Sequence, residues 1–245
     1  MYFSRLILNP HSRWVQRELA NPYELHRTLL RAFPENSFHR ERDDHECAGV
    51  LYRLDMLSPH NDFVLLVQSQ MVPDWSFLLD HGPADYLLRT DPFGEENPAV
   101  KARTLAFRPG QMLNFRLRAN PTKRLGKTAQ TNSGKRVGLY TADQQTTWLQ
   151  RKADQHGFLL RRVQISQDER IKREQTIPVR VQPNSDAASI STEQAKKRQK
   201  LELFSVQFDG ILQVTDPDRF LTAIQAGIGS GKAFGFGLLS VAPVG

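Results

Sequence analysis

The chain has 245 residues, of which 39% are hydrophobic, one cysteine and a formal net charge of +7. This length suits one large domain or two small ones, and a single cysteine excludes an intrachain disulfide framework and a zinc site of four cysteines. No apolar run approaches the roughly 20 residues that a membrane-spanning helix requires, and the N-terminal segment has no cleavage-site pattern. We therefore expect a cytoplasmic protein that does not enter a membrane.

The first half of the chain predicts a βαββαβ pattern. Its predicted elements are a strand over residues 2–9, a helix over 21–33, strands over 48–55 and 62–70, a short helix over 74–80 and a strand over 84–90. The start of the first helix is marked by Asn21 as N-cap, Pro22 at N1 and Glu24 at N3, which is the spacing of a capping box.

The second half of the chain repeats this pattern. Its predicted elements are a strand over 111–121, a helix over 141–157, strands over 158–166 and 201–216, a helix over 216–227 and a strand over 236–244. The polar residues 182–200 predict a mobile connection between two of these strands. The repeat predicts an α+β fold with two tandem ferredoxin-like (RRM-like) domains, over residues 1–95 and 96–245.

Charge is distributed unevenly along the chain. Residues 1–95 contain 9 Lys and Arg against 14 Asp and Glu, whereas residues 96–245 contain 24 against 12. The stretch 97–142 has ten basic residues and no acidic residue. Ordinary surfaces mix the two signs, so this block indicates a polyanionic partner, in the first place nucleic acid. An anionic membrane surface would favour a basic amphipathic helix, and this block is predicted to be strand and loop.

A glycine-rich loop, "GIGSGKAFGFGLL" over residues 227–239, precedes the last predicted strand. A Walker A loop would require a glycine where Ala226 stands and a Ser or Thr where Ala233 stands. A dinucleotide-binding fingerprint follows a strand and precedes a helix, which is the reverse of the order predicted here. The loop is thus either a turn that returns a helix to the sheet or a backbone that approaches a phosphate.

Four segments together resemble the CasE family, the endoribonucleases that process CRISPR RNA in the type I-E Cascade complex and belong to the RAMP superfamily. These segments are "NPYELHRTLLRAFP", "FRLRANPTK", "WLQRKADQHGF" and the stretch from "FDGILQ" to "LLSVAP". The resemblance implies tandem ferredoxin-like domains and the stem-loop of a CRISPR repeat transcript as substrate. It further implies cleavage at the 3′ base of that stem without a metal or cofactor, which leaves a 2′,3′-cyclic phosphate and a 5′-hydroxyl. The product would stay bound, and the protein would join the other Cascade subunits.

Tyr23 and His26 match the Tyr-x-x-His pattern of this family and lie three residues apart on the first predicted helix. Metal-free cleavage uses the ribose 2′-OH as nucleophile, and it needs a base for that proton and an acid for the leaving 5′-oxygen. The ordinary pKa of histidine, about 6.5, suits either step, whereas tyrosine at about 10 suits orientation of the substrate. The residues alone favour a surface or boundary histidine without chemistry, since most histidines are not catalytic, and the resemblance reverses that preference.

Basic and glycine residues supply the predicted RNA contacts. Arg27 and Arg31 could hold phosphates beside the scissile bond or be ordinary surface arginines. In the alternating strand, Arg116 and Arg118 face away from Phe115 and Leu117, as suits contact with the backbone of an RNA helix. The predicted RNA-binding residues are Arg27, Arg31, Arg116, Arg118, Asn120, Lys123, Arg124, Lys127, Gly229, Gly231 and Lys232.

Three hypotheses follow. The first is an endoribonuclease specific for its repeat hairpin, the second is a non-catalytic RNA-binding subunit with an inert His26, and the third is a small nucleotide-binding regulator. The string "HRERDDHE" over residues 39–46 contains possible metal ligands, but we interpret it as a charged loop because ligation needs a fixed geometry. No metal site is predicted.

Overall fold

The structure is a computed structural model that describes residues 1–34, 49–57, 62–79, 85–89, 94, 96–124, 136–167, 173–178 and 198–245. The strands are β1 (Tyr2–Leu8), β2 (Leu51–Leu57), β3 (Asp62–Ser69), β4 (Ala99–Ala102), β5 (Met112–Ala119), β6 (Thr122–Arg124), β7 (Arg136–Gly138), β8 (Phe158–Gln167), β9 (Arg173–Pro178), β10 (Arg198–Leu203), β11 (Val206–Val214) and β12 (Leu239–Pro243). The helices are α1 (Arg13–Ala20), α2 (Pro22–Leu30), α3 (Ser76–Leu79), α4 (Ala142–Gln155) and α5 (Pro217–Ala226), and a 3-10 turn spans Lys232–Phe234.

The first sheet is antiparallel and has the strand order β2-β3-β1-β4. Because side chains alternate between the faces of a strand, Leu6 and Leu8 of β1 point to the same face. There they form one core with Leu25 and Leu29 of α2 and Leu65 of β3. This strand order is the one that a βαββαβ unit produces, so the predicted ferredoxin-like fold of the first half is confirmed.

The second sheet repeats this arrangement with the order β12-β5-β11-β8. Its core joins Leu117 and Phe208 of the sheet to Trp148 of α4 and Phe220 of α5. The alternation predicted for β5 is confirmed, because Leu117 is buried and the neighbouring Arg116 is exposed. Strands β6 and β7 form a separate two-stranded ladder, as do β9 and β10.

Side-chain hydrogen bonds join the two sheets. The side-chain amide of Gln68 in β3 donates to the carbonyl of Ile224 in α5 at 2.7 Å. In β2, the guanidinium of Arg53 donates to the hydroxyl of Ser240 in β12 at 2.8 Å. Arg53 is 3% exposed, and burial of a charge is unfavourable unless the charge is paired. Its ion pair with Asp55, at 2.9 Å, supplies that pairing.

The strand predicted over 84–90 is wrong. Its described residues, 85–89, make one bridge to β1, between Leu87 and Leu8, and β4 is the strand that pairs with residues 2–5 of β1. The side-chain amide of Asn97 pairs with the backbone of Ile7 as a neighbouring strand would. It accepts from the N–H of Ile7 and donates to its carbonyl, both at 2.9 Å. Because β4 lies beyond residue 95, the sheet favours a later domain boundary, and the division at residue 95 stays a prediction.

Two features near the start of the chain also differ from the predictions. Helix α1 was not predicted, although Val15 and Leu19 have the i, i+4 spacing of an apolar helix face. The side chain of Asn21 makes no capping hydrogen bond to α2. Asn21 is nevertheless the N-cap residue, as predicted, because its carbonyl accepts from the N–H of Glu24. It also ends α1, since its own N–H donates to the carbonyls of Arg17 and Glu18.

The strand predicted over 201–216 is divided into β10 and β11, with Phe204 and Ser205 buried between them. Residues 179–197, which include most of the predicted mobile connection, lie outside the described residues. Among the helices that the structure describes, none is both long and apolar enough to cross a membrane.

Candidate active site and nucleic-acid interface

The candidate catalytic histidine lies at the edge of the buried face of α2. Leu25 and Leu29 insert into the first core, and His26, between them in sequence, is 2% exposed. The imidazole of His26 stacks on the phenol ring of Tyr52 from β2, with centroids 6.1 Å apart and 19° between the ring planes. Tyr52 was not singled out from the sequence, because the contact joins residues far apart in the chain.

Tyr52 also connects α2 to the glycine-rich loop. Its hydroxyl lies 2.9 Å from the carbonyl oxygen of Ala233 and 3.2 Å from that of Pro22. Burial raises the pKa of Tyr52 far above its ordinary value of 10, so the phenol stays protonated and donates. Tyr52 therefore fixes the first turn of α2 relative to the 3-10 turn, and it also holds its own ring against the imidazole of His26.

The glycines of the loop have conformations that other residues rarely adopt. Five of them have positive φ, namely Gly227, Gly229, Gly231, Gly235 and Gly237. A Cβ on Gly235 would lie 3.0 Å from Cε2 of Tyr52, and one on Gly229 would lie 3.1 Å from Cζ2 of Trp148. Close approach of the loop to the protein itself accounts for these two glycines. The predicted RNA contacts of Gly229, Gly231 and Lys232 stay predictions.

The other predicted residues of α2 face outward. Tyr23 is half-buried, and Arg27 and Arg31 are exposed. The guanidinium of Arg27 lies 3.2 Å from the carboxylate of Glu24, an exposed pair of small energetic weight. The guanidinium of Arg31 lies 4.5 Å from the ring centroid of Phe77. Tyr23 and Arg27 lie on the same helix as His26, as predicted, and Arg31 is the C-cap residue directly after that helix.

The polar residues of β5, and Asn120 directly after it, engage the protein itself. Arg116 lies 2.6 Å from the carboxylate of Asp209, and Arg118 donates to the carbonyl of Leu54 at 3.0 Å. The buried Asn120 accepts from the N–H of Phe204 at 3.3 Å. Intramolecular contacts thus hold all three side chains, and their predicted RNA contacts stay predictions.

A basic pocket of about 530 Å³ collects residues from β6, β7 and α4 around the glycine-rich loop. Its basic residues are Lys123, Arg124, Arg136, Arg151, Lys152 and His156, and Gly229 and Ser230 also line it. No Asp or Glu is among the described residues that line it. Lys123, Arg124 and Gly229 were predicted as RNA contacts, whereas Lys127 lies outside the described residues.

The basic residues from α4 were missed as site residues, although the segment "WLQRKADQHGF" contains them. The sequence feature that could have identified them is the four-residue spacing of Lys152 and His156, which puts both side chains on one helix face. Burial lowers the pKa of Lys152, and Arg151, Arg136 and Lys232 lower it further. Burial also lowers the pKa of His156, with added repulsion from Lys152, Arg219 and Lys232. An anion in the basic pocket would relieve this repulsion, and a phosphate of nucleic acid is such an anion.

The structure provides no candidate metal site among the residues it describes, since no three of His, Cys, Asp and Glu cluster there. The acidic and histidine-containing string 39–46 lies outside those residues.

Fold and site together define a protein with tandem ferredoxin-like domains, a histidine-bearing helix and a basic, carboxylate-poor pocket. The chain belongs to a family described as "CRISPR associated protein", whose model matches residues 1–243. It is 39% identical over 244 residues to the CRISPR-associated endoribonuclease Cse3 of Thermus thermophilus, covering 99% of this chain and 100% of Cse3. It is 28% identical over 253 residues to the CRISPR system Cascade subunit CasE of Escherichia coli, covering 100% of both.

Solved structures give the same result. A structure of CRISPR endoribonuclease Cse3 bound to a 19 nt RNA superposes with a TM-score of 0.71 at 36% identity, over 99% of this chain and 100% of that one. A second structure, of Thermus thermophilus Cse3 bound to an RNA representing a pre-cleavage complex, has the same TM-score and identity over 99% and 98% of the two chains. The predicted membership of the CasE and Cse3 family is confirmed.

Proposed function

We propose that this protein is a metal-independent endoribonuclease that cleaves CRISPR repeat transcripts at the base of their stem-loop. It then retains the product as a subunit of a Cascade complex in the cytoplasm. The observation that carries the proposal is the 39% identity to an endoribonuclease over nearly the whole chain. The Tyr-x-x-His pattern at Tyr23 and His26 supports it, because both residues lie on α2.

The proposed reaction is an internal transfer at phosphorus. The ribose 2′-oxygen forms a bond to the adjacent phosphorus, and the bond from phosphorus to the 5′-oxygen breaks. The products are a 2′,3′-cyclic phosphate and a 5′-hydroxyl, so no water is consumed. His26 either accepts the 2′-OH proton or donates a proton to the leaving 5′-oxygen, since an imidazole can do either near neutral pH. Tyr23 orients the substrate, and Arg27 and Arg31 hold the phosphates beside the scissile bond.

RNA binding must uncover His26 for this reaction, because its side chain is 2% exposed. Tyr52 stacks on His26, and the 3-10 turn Lys232–Phe234 is tied to α2 through the Tyr52 hydroxyl. Because these contacts join the turn to α2, a shift of the turn on RNA binding would change the surroundings of the imidazole. The basic pocket lies beside the same loop and would hold the stem through its phosphates.

Cleavage of the cognate repeat RNA in EDTA tests the proposal, alongside a substrate with a single 2′-deoxy at the scissile nucleotide. We expect the normal RNA to be cut and the deoxy RNA to be bound but intact. His26→Ala should then abolish cleavage and preserve binding. Cleavage of the deoxy RNA, or loss of cleavage in EDTA that Mg²⁺ restores, would contradict the mechanism.

A non-catalytic RNA-binding subunit is the second candidate, and the burial of His26 favours it. The two candidates differ in one result. If wild-type protein and His26→Ala bind the repeat RNA with equal affinity and neither cuts it, the protein is a binding subunit.

A further inference from the structure

A cleft of about 610 Å³, here called the Trp14 cleft, lies beside the face of α2 that does not carry His26. Its aromatic residues are Trp14 of α1, Phe77 of α3 and Tyr86. Three arginines, Arg17, Arg27 and Arg31, line it as well. The residues of the Tyr-x-x-His pattern, Tyr23 and His26, are not part of the lining, so this cleft is distinct from the candidate catalytic position.

Trp14 is the exposed aromatic residue of the cleft. Its side chain is 53% exposed, whereas the other two tryptophans, Trp75 and Trp148, are each 4% exposed and belong to the two cores. An indole is a large apolar surface whose exposure is unfavourable, and it is a strong stacking partner for an unstacked base. Its position beside three arginines favours an RNA nucleotide, because guanidinium groups hold phosphates and also stack on bases.

The acidic residues of the cleft do not neutralise its arginines. Glu18 is 8% exposed, and its two carboxylate oxygens accept from the hydroxyls of Thr28 at 2.6 Å and Tyr86 at 2.5 Å. Its hydrogen-bonding capacity therefore serves to hold α1 against α2. Glu24 forms an ion pair with Arg27. Because this pair is exposed and therefore weak, a phosphate could replace the Glu24 carboxylate beside the Arg27 guanidinium.

The position of the cleft along α2 indicates which nucleotide it would take. Arg31 is the C-cap residue of α2 and has helical backbone angles. At 3.6 residues per turn it lies about 140° from His26 around the helix axis, roughly 13 Å along the surface, and Tyr23 and Arg27 lie at intermediate angles. Nucleotides next to the scissile phosphate can span that distance. If cleavage occurs at the 3′ base of the stem, the RNA that continues past the scissile phosphate is the unpaired 3′ segment.

We infer that the Trp14 cleft binds an unpaired nucleotide of the 3′ segment, with its base on the Trp14 indole and its phosphates on Arg27 and Arg31. This subsite rests on the proposed function and extends it from the stem to the single strand beyond the cut. It would position the scissile phosphate by holding the RNA on both sides of it.

Tryptophan fluorescence tests the subsite without requiring cleavage. Acrylamide should quench mainly Trp14, and Trp14→Phe, which removes that accessible signal, confirms the assignment. The probes are a 2′-deoxy repeat hairpin with a 3′ single-stranded tail and the same hairpin ending at the scissile phosphate. We expect only the tailed RNA to protect Trp14 from acrylamide. Equal quenching in the two complexes, although both hairpins bind, overturns the inference and leaves the endoribonuclease proposal intact.

Affinity measurements supply the second readout. Trp14→Ala should weaken binding of the tailed RNA by about 5- to 150-fold, the range expected for one base stacked on an aromatic side chain. Trp14→Phe should restore part of that loss, and neither change should affect the hairpin without a tail. Exposed Leu79, which is 58% exposed on α3, provides the control variant Leu79→Ala, expected to bind both RNAs like wild type. Equal loss on both RNAs for Trp14→Ala would overturn the inference.

Discussion

Gly235→Ala tests whether the glycine-rich loop determines the position of His26 through Tyr52. Gly235 has a φ of 80°, and an added Cβ would lie 3.0 Å from Cε2 of Tyr52. Carbon atoms in favourable contact are about 3.5–4.0 Å apart, so the ring or the loop must shift by a few tenths of an ångström. Tyr52 stacks on His26, and such a shift reaches the imidazole.

The expected loss of unfolding free energy in Gly235→Ala has two contributions. The left-handed backbone costs an alanine about 1–2 kcal/mol, and the tight contact with Tyr52 adds about 1–3 kcal/mol in the manner of an overpacked core. Gly94 is the matched control, because its φ is 71° and an added Cβ there meets nothing within 4 Å. Gly94→Ala should therefore show the backbone contribution alone.

The assays are urea unfolding and single-turnover cleavage of the repeat RNA. We expect Gly235→Ala to lose about 2–5 kcal/mol of unfolding free energy and to cleave about three- to tenfold more slowly, since misplacement of a catalytic group by 1 Å can cost about 100-fold. Gly94→Ala should cleave at the wild-type rate. The proposed coupling would be refuted if the two variants lost equal stability and cleaved equally fast.

Three other predictions concern Tyr52, His156 and Glu18. Tyr52→Phe removes a buried hydrogen bond to Ala233 and should reduce the unfolding free energy by about 1–2 kcal/mol and slow cleavage; wild-type values for both would contradict the bridging role. The pKa of His156 is lowered in the folded protein, so the unfolded chain binds more protons and stability should fall as pH drops below about 6.5. A bound phosphate favours the charged imidazole, so RNA affinity should rise as pH falls in that window, by at most about tenfold per pH unit, and His156→Gln should flatten both profiles. Glu18→Ala removes the acceptor of two hydroxyls and should lower the unfolding free energy by about 2–4 kcal/mol in urea titration, whereas an unchanged midpoint would show that those bonds do not stabilise α1 against α2.

Local patterns predicted much of the architecture. The period-two alternation of "NFRLRA" identified β5, and the buried Leu117 beside the exposed Arg116 confirms it. Asp216, Pro217 and Gly227 marked the ends of α5, and the structure shows Asp216 accepting from the N–H of Arg219 at 3.1 Å. These features can be predicted from the sequence because each residue and the residue it interacts with are only a few positions apart in the chain.

Predictions failed where two segments compete for the same partner. Asn21 is the N-cap residue of α2, as predicted, but it also ends α1, and its side chain makes no capping hydrogen bond. The segment 84–90 has the apolar pattern of a strand, but β4 pairs with residues 2–5 of β1. The described residues 85–89 therefore meet β1 at its C-terminal end, where Leu87 bridges Leu8. Propensity describes what a segment can form, and competition for hydrogen-bonding groups of the backbone decides what it does form.

The sequence by itself determined the repeated βαββαβ pattern, the acid-free block, the glycine-rich loop and the Tyr-x-x-His pair. Each of these features depends on residues that are close together in the chain. Only the tertiary structure placed Tyr52 against His26, and only it brought β6, β7, α4 and the loop together around one basic pocket. These contacts join residues far apart in sequence, and close packing between whole elements fixes them. A local pattern shows which face of an element is apolar or charged, and the packed fold decides what that face meets.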